Sequence, residues 1–349
     1  MKRIRIALIF AAALLQAQQR GGTPQTDKLA PVNSGANPYT VIRDWATLDK
    51  EARPWGGSNG VAIDKDGKTV WATDRCSPGT TPGCTNSPGN PVHHFDVNGK
   101  EIRSFGAGMF VWPHGIHVDR DGNVWVTDSR ADQGKGSVVV KFSPDGKVLL
   151  TLGRPGVHGN PPEALTDPTD VLTDAGNGDV YVAESHTDVT DPNLVGRISV
   201  FDKTGKFLRV IGKTGTGPGE FRTPHALEFD SQGRLIVADR HNHRVQVLTK
   251  EGRFIAEYPE FGRVSGMAID RNDVLYTADS ESTERVHPGW QRGIRIGSAK
   301  DGHVTGFVPP HAVPNSADSA MGEGIAIDAA GNVYTAEAQL RGVTKYVRK

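Results

Sequence analysis

The sequence predicts an all-β protein, a six-bladed β-propeller, from three observations. A pattern of two short strands around a tight turn, as in VWPHGIHVDRDGNVWVTD at 111–128, occurs six times at intervals of 40–58 residues. Repeats of this length with two to four strands each are typical of propeller blades. The turns at 98–99 and 121–122 are Asn-Gly and Asp-Gly, which favour tight hairpins. No segment shows helical periodicity.

Each repeat supplies two strands of one blade. The six copies are 58–74, 111–128, 167–184, 223–239, 264–279 and 322–337. Apolar or alternating runs lie between the turns, for example SVVVKFSP at 137–144 and RVQVLTK at 244–250. We therefore predict four antiparallel strands per blade, joined as a meander.

The two ends of the predicted domain should complete one blade together. The last repeat shows the strand-like runs YTAEAQ (334–339) and GVTKYVRK (342–349). The stretch YTVIRDWATL (39–48) precedes the first full repeat and has a strand-like composition. We predict that this N-terminal strand joins the last blade, so that the ring closes without a free sheet edge.

The first residues have the features of a secretory signal. A basic start with Lys2, Arg3 and Arg5 precedes an apolar run that is too short to span a bilayer. We predict a signal peptide at 1–17, a disordered polar leader at 18–38 and a single propeller domain at 39–349. The expected location is secreted or periplasmic, with no membrane span.

Composition narrows the classes of partner. Lys plus Arg and Asp plus Glu each number 40, so the formal net charge is zero, and no basic stripe favours nucleic acid. We expect a monomer that does not bind nucleic acid. The chain has two cysteines, Cys76 and Cys84, and export favours a disulfide between them. A pair of free structural thiols is the alternative.

Aligning the repeats places one residue of each copy just before the innermost strand. These residues are Asn59, His114, Thr169, His225, Ser265 and Glu323. His114, His225 and Glu323 come from alternate blades, so they should converge on the axis of the ring. Two imidazoles and a carboxylate with an open fourth position are a ligand set of catalytic zinc. The alternative is that each histidine is hydrogen-bonded and purely structural.

A second aligned position, at the end of the next strand, carries Arg75 in the first repeat and Arg240 in the fourth. Paired guanidinium groups near a metal suit a carboxylate or another oxyanion. The alternative is that each arginine pairs with the preceding Asp74 or Asp239. His186 lies one position further on in the third repeat and can reach the mouth of the channel.

These motifs resemble a known family. The repeats are similar to NHL repeats. The region from about residue 40 to residue 349 resembles the peptidyl-α-hydroxyglycine α-amidating lyases. The resemblance rests on Trp-Pro-His-Gly at 112–115, Thr-Pro-His-Ala at 223–226, and Ala-Asp-Arg followed by an Asn-containing turn and Arg-Val-Gln at 238–246.

The resemblance implies a zinc site in the channel. In that family three histidines from alternate blades hold zinc; His114 and His225 match two of them, and Glu323 stands at the place of the third. The family's structural calcium uses an aspartate at the place of Gly324, so the resemblance does not carry calcium over to this chain.

The resemblance also implies roles at the mouth of the channel. Arg75 and Arg240 match arginines that engage the substrate, and the family's catalytic tyrosine falls at His186. We predict an exported zinc-dependent lyase in which Arg240 and His186 are catalytic. Its substrate would be a small molecule or peptide with an anionic group. The resemblance implies a hydroxyglycine-type carbinolamide, which is cleaved to an amide and glyoxylate.

Two other functions fit the same residues. One is a metal-dependent lactonase or other hydrolase on this scaffold. The other is a non-catalytic propeller that binds a protein or glycan partner through its loops, since Glu323 and His186 both depart from the family pattern.

Overall fold

Six four-stranded antiparallel sheets form a ring in the computed structural model, which describes residues 29–48, 53–77, 83–186, 190–191, 193–312 and 319–349. This confirms the predicted all-β six-bladed propeller. The predicted signal peptide at 1–17 lies outside the described residues. Within the described part of the chain, no helix is long and apolar enough to cross a membrane.

The strands follow the predicted meander in every blade. After β1 (Tyr39–Ile42), blades one to three contain β2 (Val61–Ile63), β3 (Val70–Thr73), β4 (Val92–Phe95) and β5 (Glu101–Phe105); β6 (Pro113–Val118), β7 (Val124–Asp132), β8 (Lys135–Phe142) and β9 (Val148–Leu152); and β10 (Pro168–Thr173), β11 (Val180–Glu184), β12 (Arg197–Phe201) and β13 (Phe207–Ile211).

Blades four to six follow the same order. They contain β14 (Pro224–Phe229), β15 (Leu235–Asp239), β16 (Arg244–Leu248) and β17 (Phe254–Tyr258); β18 (Gly266–Ile269), β19 (Val274–Asp279), β20 (Gly293–Ser298) and β21 (Val304–Val308); a short hairpin of β22 (His311–Ala312) and β23 (Ser319–Ala320); and β24 (Gly324–Ile327), β25 (Val333–Glu337) and β26 (Gly342–Arg348). Short 3₁₀ turns span Arg240–Asn242 and Pro259–Phe261.

The N-terminal strand closes the ring as predicted. Strand β1 pairs antiparallel with β26, from Tyr39 opposite Arg348 to Ile42 opposite Lys345. The sixth blade is therefore built from both ends of the domain. This pairing covers the outer edge of β26, which would otherwise present unpaired backbone groups.

The repeated aspartate of each blade joins the inner turn to the core. Asp119 accepts backbone hydrogen bonds from Asp121 and Asn123, and its other oxygen accepts one from the buried indole of Trp125 at 3.1 Å. In blade one, Asp64 accepts from Trp71 in the same way at 2.7 Å. Buried polar groups need such partners, so the turn and the inter-blade core form together.

Glycine follows the channel residue where neighbouring blades approach closely. A Cβ added at Gly60 would lie 2.3 Å from the carbonyl oxygen of His114, and one at Gly324 would lie 2.3 Å from that of Asn59. No real side chain tolerates such contacts. In the blades that carry glycine here, the innermost strands approach one another closely because this position has no side chain.

Part of the leader lies against blade five. Arg295 is fully buried, and its guanidinium donates to the carbonyl of Val32 at 2.8 Å and to Asn33 at 3.2 Å. Ala36 forms a parallel bridge with Gly306. Residues 29–38 thus differ from the disordered leader expected for 18–38, because they supply acceptors to a buried cation.

The predicted disulfide is present. Cys76 and Cys84 are bonded to each other, and the described residues include no free cysteine. Cys76 directly follows Arg75, so the disulfide loop starts at the mouth of the channel.

Candidate functional site

Local backbone geometry aims the two channel histidines inward. His114 lies in β6 and His225 in β14, and both strands shift register against their neighbours at this point, between Pro113 and Ile116 and between Pro224 and Ala226. Such bulges redirect a side chain out of the regular alternation. The Pro-His-Gly and Pro-His-Ala motifs therefore mark bulged starts of innermost strands.

His114, His225 and Glu323 converge as the repeat register predicts. The Nε2 atoms of His114 and His225 lie 3.7 and 3.4 Å from the same Glu323 oxygen, Oε1, and all three residues are buried. Each Nδ1 is bonded to a backbone carbonyl of the next blade, that of Thr169 at 2.7 Å and that of Ser265 at 2.6 Å. These bonds place the proton on Nδ1 and leave the Nε2 lone pair facing the centre.

The Nε2 atoms have no hydrogen-bond partner among the described residues, although both are buried. Two nitrogen lone pairs and a carboxylate oxygen thus face one another without a proton between them. Buried nitrogen acceptors without partners are costly, and a cation bound by both Nε2 atoms and by Glu323 would satisfy them.

His186 belongs to the same group of side chains, although the sequence predicts it at the mouth of the channel. One ligand atom from each of His114, His186, His225 and Glu323 lies within 4.8 Å of the others. The His186 ring centroid is 4.8 Å from that of His114 and 5.6 Å from that of His225. The described residues therefore contain a four-membered group able to hold a metal, rather than the predicted three.

The two predicted arginines reach across the channel to Glu323. Arg75 Nη2 is 3.2 Å from Oε2 and Arg240 Nη1 is 3.4 Å from Oε1. Asn59, from the same aligned position as the histidines, donates a short hydrogen bond to Oε2. The carboxylate is held by the Arg75 guanidinium and the Asn59 amide from blade one and by the Arg240 guanidinium from blade four.

The alternative pairing of each arginine with its preceding aspartate is not what the structure shows. Asp74 forms its ion pair with Arg53, and Asp239 accepts from Arg244 at 2.9 Å. Both inner arginines are therefore left to face the channel.

Burial and charge set the protonation of the group. Burial would raise the pKa of Glu323, but contacts with His114 and His225 and the charge of Arg75 hold that pKa well below its usual value. In the tautomer that the Nδ1 bonds favour, Nε2 has no proton to donate, so the guanidinium charge is the stronger reason. Burial lowers the pKa of His225 to about 4 and that of His186 well below its usual value. At neutral pH Glu323 is therefore a carboxylate, and His186 and His225 are neutral imidazoles.

Three residues that the sequence did not single out shape the mouth. Trp112 lies under the Arg75 guanidinium, 4.0 Å from its ring centroid. Glu281 bridges two cations, with Arg240 at 3.5 Å and Arg263 at 2.7 Å. Trp112 stands inside the Trp-Pro-His motif, whereas Glu281 and Arg263 carry no repeat signal.

The site opens on the central channel. A cavity of about 270 Å³ is lined by all six aligned residues and by the innermost strands behind them. Such a volume accommodates a small molecule or the end of a peptide rather than a folded partner.

Known proteins share this architecture. Residues 178–245 match the DUF5128 family, described as a 6-bladed β-propeller. Peptidyl-glycine alpha-amidating monooxygenase B of Xenopus laevis is 31% identical over 256 residues, which are 71% of this chain and 27% of that protein. Peptidyl-alpha-hydroxyglycine alpha-amidating lyase 2 of Drosophila melanogaster is 30% identical over 243 residues, 64% of this chain and 54% of that lyase. This chain is a six-bladed β-propeller related to the amidating lyases.

The likeness has two limits. The chain spans about a quarter of the length of the monooxygenases that it matches, 27% for the Xenopus laevis protein. A gluconolactonase from Xanthomonas campestris has a similar structure, with a TM-score of 0.58 over 91% of this chain and 97% of that chain, but only 14% identity. That second likeness shows the fold alone.

This propeller brings the two channel histidines and both arginines to one site. Glu323 and His186 complete the group. The arrangement retains what is needed to hold a cation and to face an anion with two guanidinium groups.

Proposed function

We propose that this propeller is a metal-dependent lyase that cleaves a carbinolamide-type substrate carrying a carboxylate. One observation supports the metal above all. The buried Nε2 atoms of His114 and His225 lie without hydrogen-bond partners within 3.7 and 3.4 Å of one Glu323 oxygen.

The separations fit a zinc ion. Bonds of about 2.0–2.1 Å in tetrahedral geometry place neighbouring ligand atoms about 3.3–3.4 Å apart. The distance from His225 Nε2 to Glu323 Oε1 is 3.4 Å, and that from His114 Nε2 is 3.7 Å. The donors already stand close to a tetrahedral edge, and the Nδ1 bonds to carbonyls fix both rings.

The arginines support an anionic substrate. Arg75 and Arg240 each have a buried Nε without a hydrogen-bond partner in the described chain, besides the Nη atoms that contact Glu323. Burial lowers the pKa of Arg75 to about 10, so its guanidinium remains charged at neutral pH. These unused donors can orient a substrate carboxylate beside the histidine group.

The cleavage we propose breaks one C–N bond. The hydroxyl oxygen of the substrate becomes the aldehyde carbonyl of glyoxylate, and the hydroxyl proton passes to the amide nitrogen that leaves. A bound zinc ion would lower the pKa of the hydroxyl. Arg75 and Arg240 hold the carboxylate so that the C–N bond is oriented, and the buried walls of the channel exclude bulk water.

We also propose that the protein is exported and acts as a monomer. The Cys76–Cys84 disulfide supports an oxidising compartment.

The direct test is metal content together with glyoxylate release. The mature protein and its His114→Ala variant are purified without chelator or histidine tag, and their metal is measured by mass spectrometry. About one zinc per chain in the parent protein, lost in the variant, is the expected result. Glyoxylate should then form from a hydroxyglycine peptide only with the metal-loaded parent protein.

The competing function makes a different prediction. If both proteins fold but neither takes up metal, the lyase proposal fails and a non-catalytic propeller that binds a partner through its loops is favoured. If metal binds but only a lactone is turned over, the lyase proposal also fails and a metal-dependent hydrolase takes its place.

A further inference from the structure

We infer that His186 is a fourth ligand of the channel metal and that it closes the coordination sphere when no substrate is bound. This inference rests on the proposed metal site and goes beyond it. The sequence placed a catalytic base at His186, whereas the structure places one of its ring nitrogens inside the ligand group.

The position of His186 carries the inference. Its Nε2 is buried and has no hydrogen-bond partner in the described part of the chain, as is true of the Nε2 atoms of His114 and His225. The four ligand atoms all lie within 4.8 Å of one another. A cation that binds all four would draw the furthest pair, up to 4.8 Å apart, closer by about 1.4 Å, since a tetrahedral zinc edge is about 3.3–3.4 Å.

The donor set would then be three imidazoles and one carboxylate. Zinc sites with four protein ligands are closed, whereas catalytic sites leave a position to water or substrate. A site closed by His186 accepts the substrate hydroxyl only if His186 leaves or the coordination number rises to five.

His186 is the ligand best placed to leave. His114 and His225 are 2–3% exposed and are fixed through Nδ1 by carbonyls of neighbouring blades. Glu323 is held by Arg75 and Asn59. His186 instead follows the end of β11 and is only half-buried. Three anchored ligands and one peripheral ligand suit a site that opens on substrate binding.

Binding to the metal would also change whether His186 can act as a base. A lone pair that is bonded to a metal cannot accept a proton at the same time. While His186 is bound it is therefore a ligand and not a base, and it becomes available to accept the hydroxyl proton only after substrate has displaced it.

The test counts imidazoles on the metal. X-ray absorption at the zinc edge of the zinc-loaded parent protein should show three histidines, and the spectrum of His186→Ala should show two. Competition with a chromogenic chelator should show a loss of zinc affinity of more than about 100-fold in His186→Ala, because even indirect partners of a ligand change affinity by about 10–100-fold. His186→Gln, which keeps a polar side chain of similar reach, guards against a folding defect in the alanine variant.

A matched control separates this effect from a general histidine loss. His94 is also largely buried, but it stacks on Trp71 in blade one and bonds Thr69 at 2.9 Å, away from the channel. His94→Ala should keep the zinc affinity and the three imidazoles of the parent protein.

The outcomes are distinguishable. Two imidazoles in the parent protein, with unchanged affinity in both His186 variants, would overturn the fourth-ligand role and leave the proposed metal site intact. No zinc uptake by the folded parent protein would overturn both. Substitution of His186 by tyrosine should lower the imidazole count in the same way, because the phenol does not replace the lost nitrogen.

Discussion

Replacing Glu323 by glutamine should destabilise the metal-free protein by about 3–5 kcal/mol, the typical effect of removing one partner of a buried ion pair. Glu323 is 6% exposed, and its oxygens lie 3.2 Å from Arg75 Nη2 and 3.4 Å from Arg240 Nη1. Two charges at about 3.3 Å attract by about 5 kcal/mol at an effective dielectric constant of 20. Glutamine keeps the size of the side chain but removes the ion-pair partner of buried Arg75 and leaves Arg240 with Glu281 alone.

The assay is equilibrium unfolding in urea of chelator-treated parent and Glu323→Gln proteins. Urea is preferred because guanidinium chloride would screen the ion pairs. Asp145→Asn is the matched control. It breaks the Arg103–Asp145 ion pair of 2.6 Å, whose side chains are 42% and 86% exposed, and should change the free energy of unfolding by less than about 1 kcal/mol.

The pH dependence of the stability difference between the parent and Glu323→Gln proteins tests the same buried ion pairs. The pKa of Glu323 is lower in the folded protein than its usual value of 4.5, so its stabilisation is complete above that pH. It should diminish as the pH falls below 4.5 toward the folded pKa. A Glu323→Gln protein that loses less than about 1 kcal/mol at pH 7, or a loss that does not shrink in acid, would refute the buried ion pairs.

Three further predictions concern the scaffold. Replacing Cys76 and Cys84 by serine should lower the free energy of unfolding by roughly 2–3 kcal/mol on the chain-entropy model, measured in urea against the reduced parent protein as control. Gly60→Ala should lower both thermal stability and zinc content, because its Cβ would meet a carbonyl at 2.3 Å; unchanged zinc content would show that the channel tolerates the displacement. Deleting the leader through residue 38 should cost about 1–3 kcal/mol by removing the Val32 and Asn33 acceptors of buried Arg295, which keeps Asp279 and Gln291, and Arg295→Met should suppress that cost.

The repeat register was sufficient to predict the centre of the site. Strand alternation and six equivalent positions are enough to place His114, His225 and Glu323 around one axis, because a propeller repeats the same local geometry in each blade. The bulges at the two Pro-His motifs preserve that equivalence. The same reasoning predicted closure by β1, since an unpaired edge needs a partner.

The register could not predict which contacts are made where the repeats differ. His186 lies beyond the end of β11, where alternation no longer fixes the direction of a side chain, so its position in the ligand group was missed. Arg75 and Arg240 had two possible carboxylate partners each, and the outcome depended on Arg53 and Arg244 occupying the local aspartates. Glu281 lies two residues after β19, as His186 does after β11, and its contacts were missed for the same reason.

A metal bound in the channel would be coupled to the arginines through Glu323. The oxygen that faces the two Nε2 atoms, Oε1, is also the one that contacts Arg240. A bound cation would compete with the Arg240 guanidinium for the carboxylate, and it would repel that guanidinium at short range. Arg240 already contacts Glu281, which is 41% exposed at the mouth. Metal binding would therefore turn Arg240 away from Glu323 and toward the side from which an anionic substrate arrives. In a site with three neutral histidines the arginines have no such carboxylate to leave, so the glutamate makes their readiness for substrate depend on the metal.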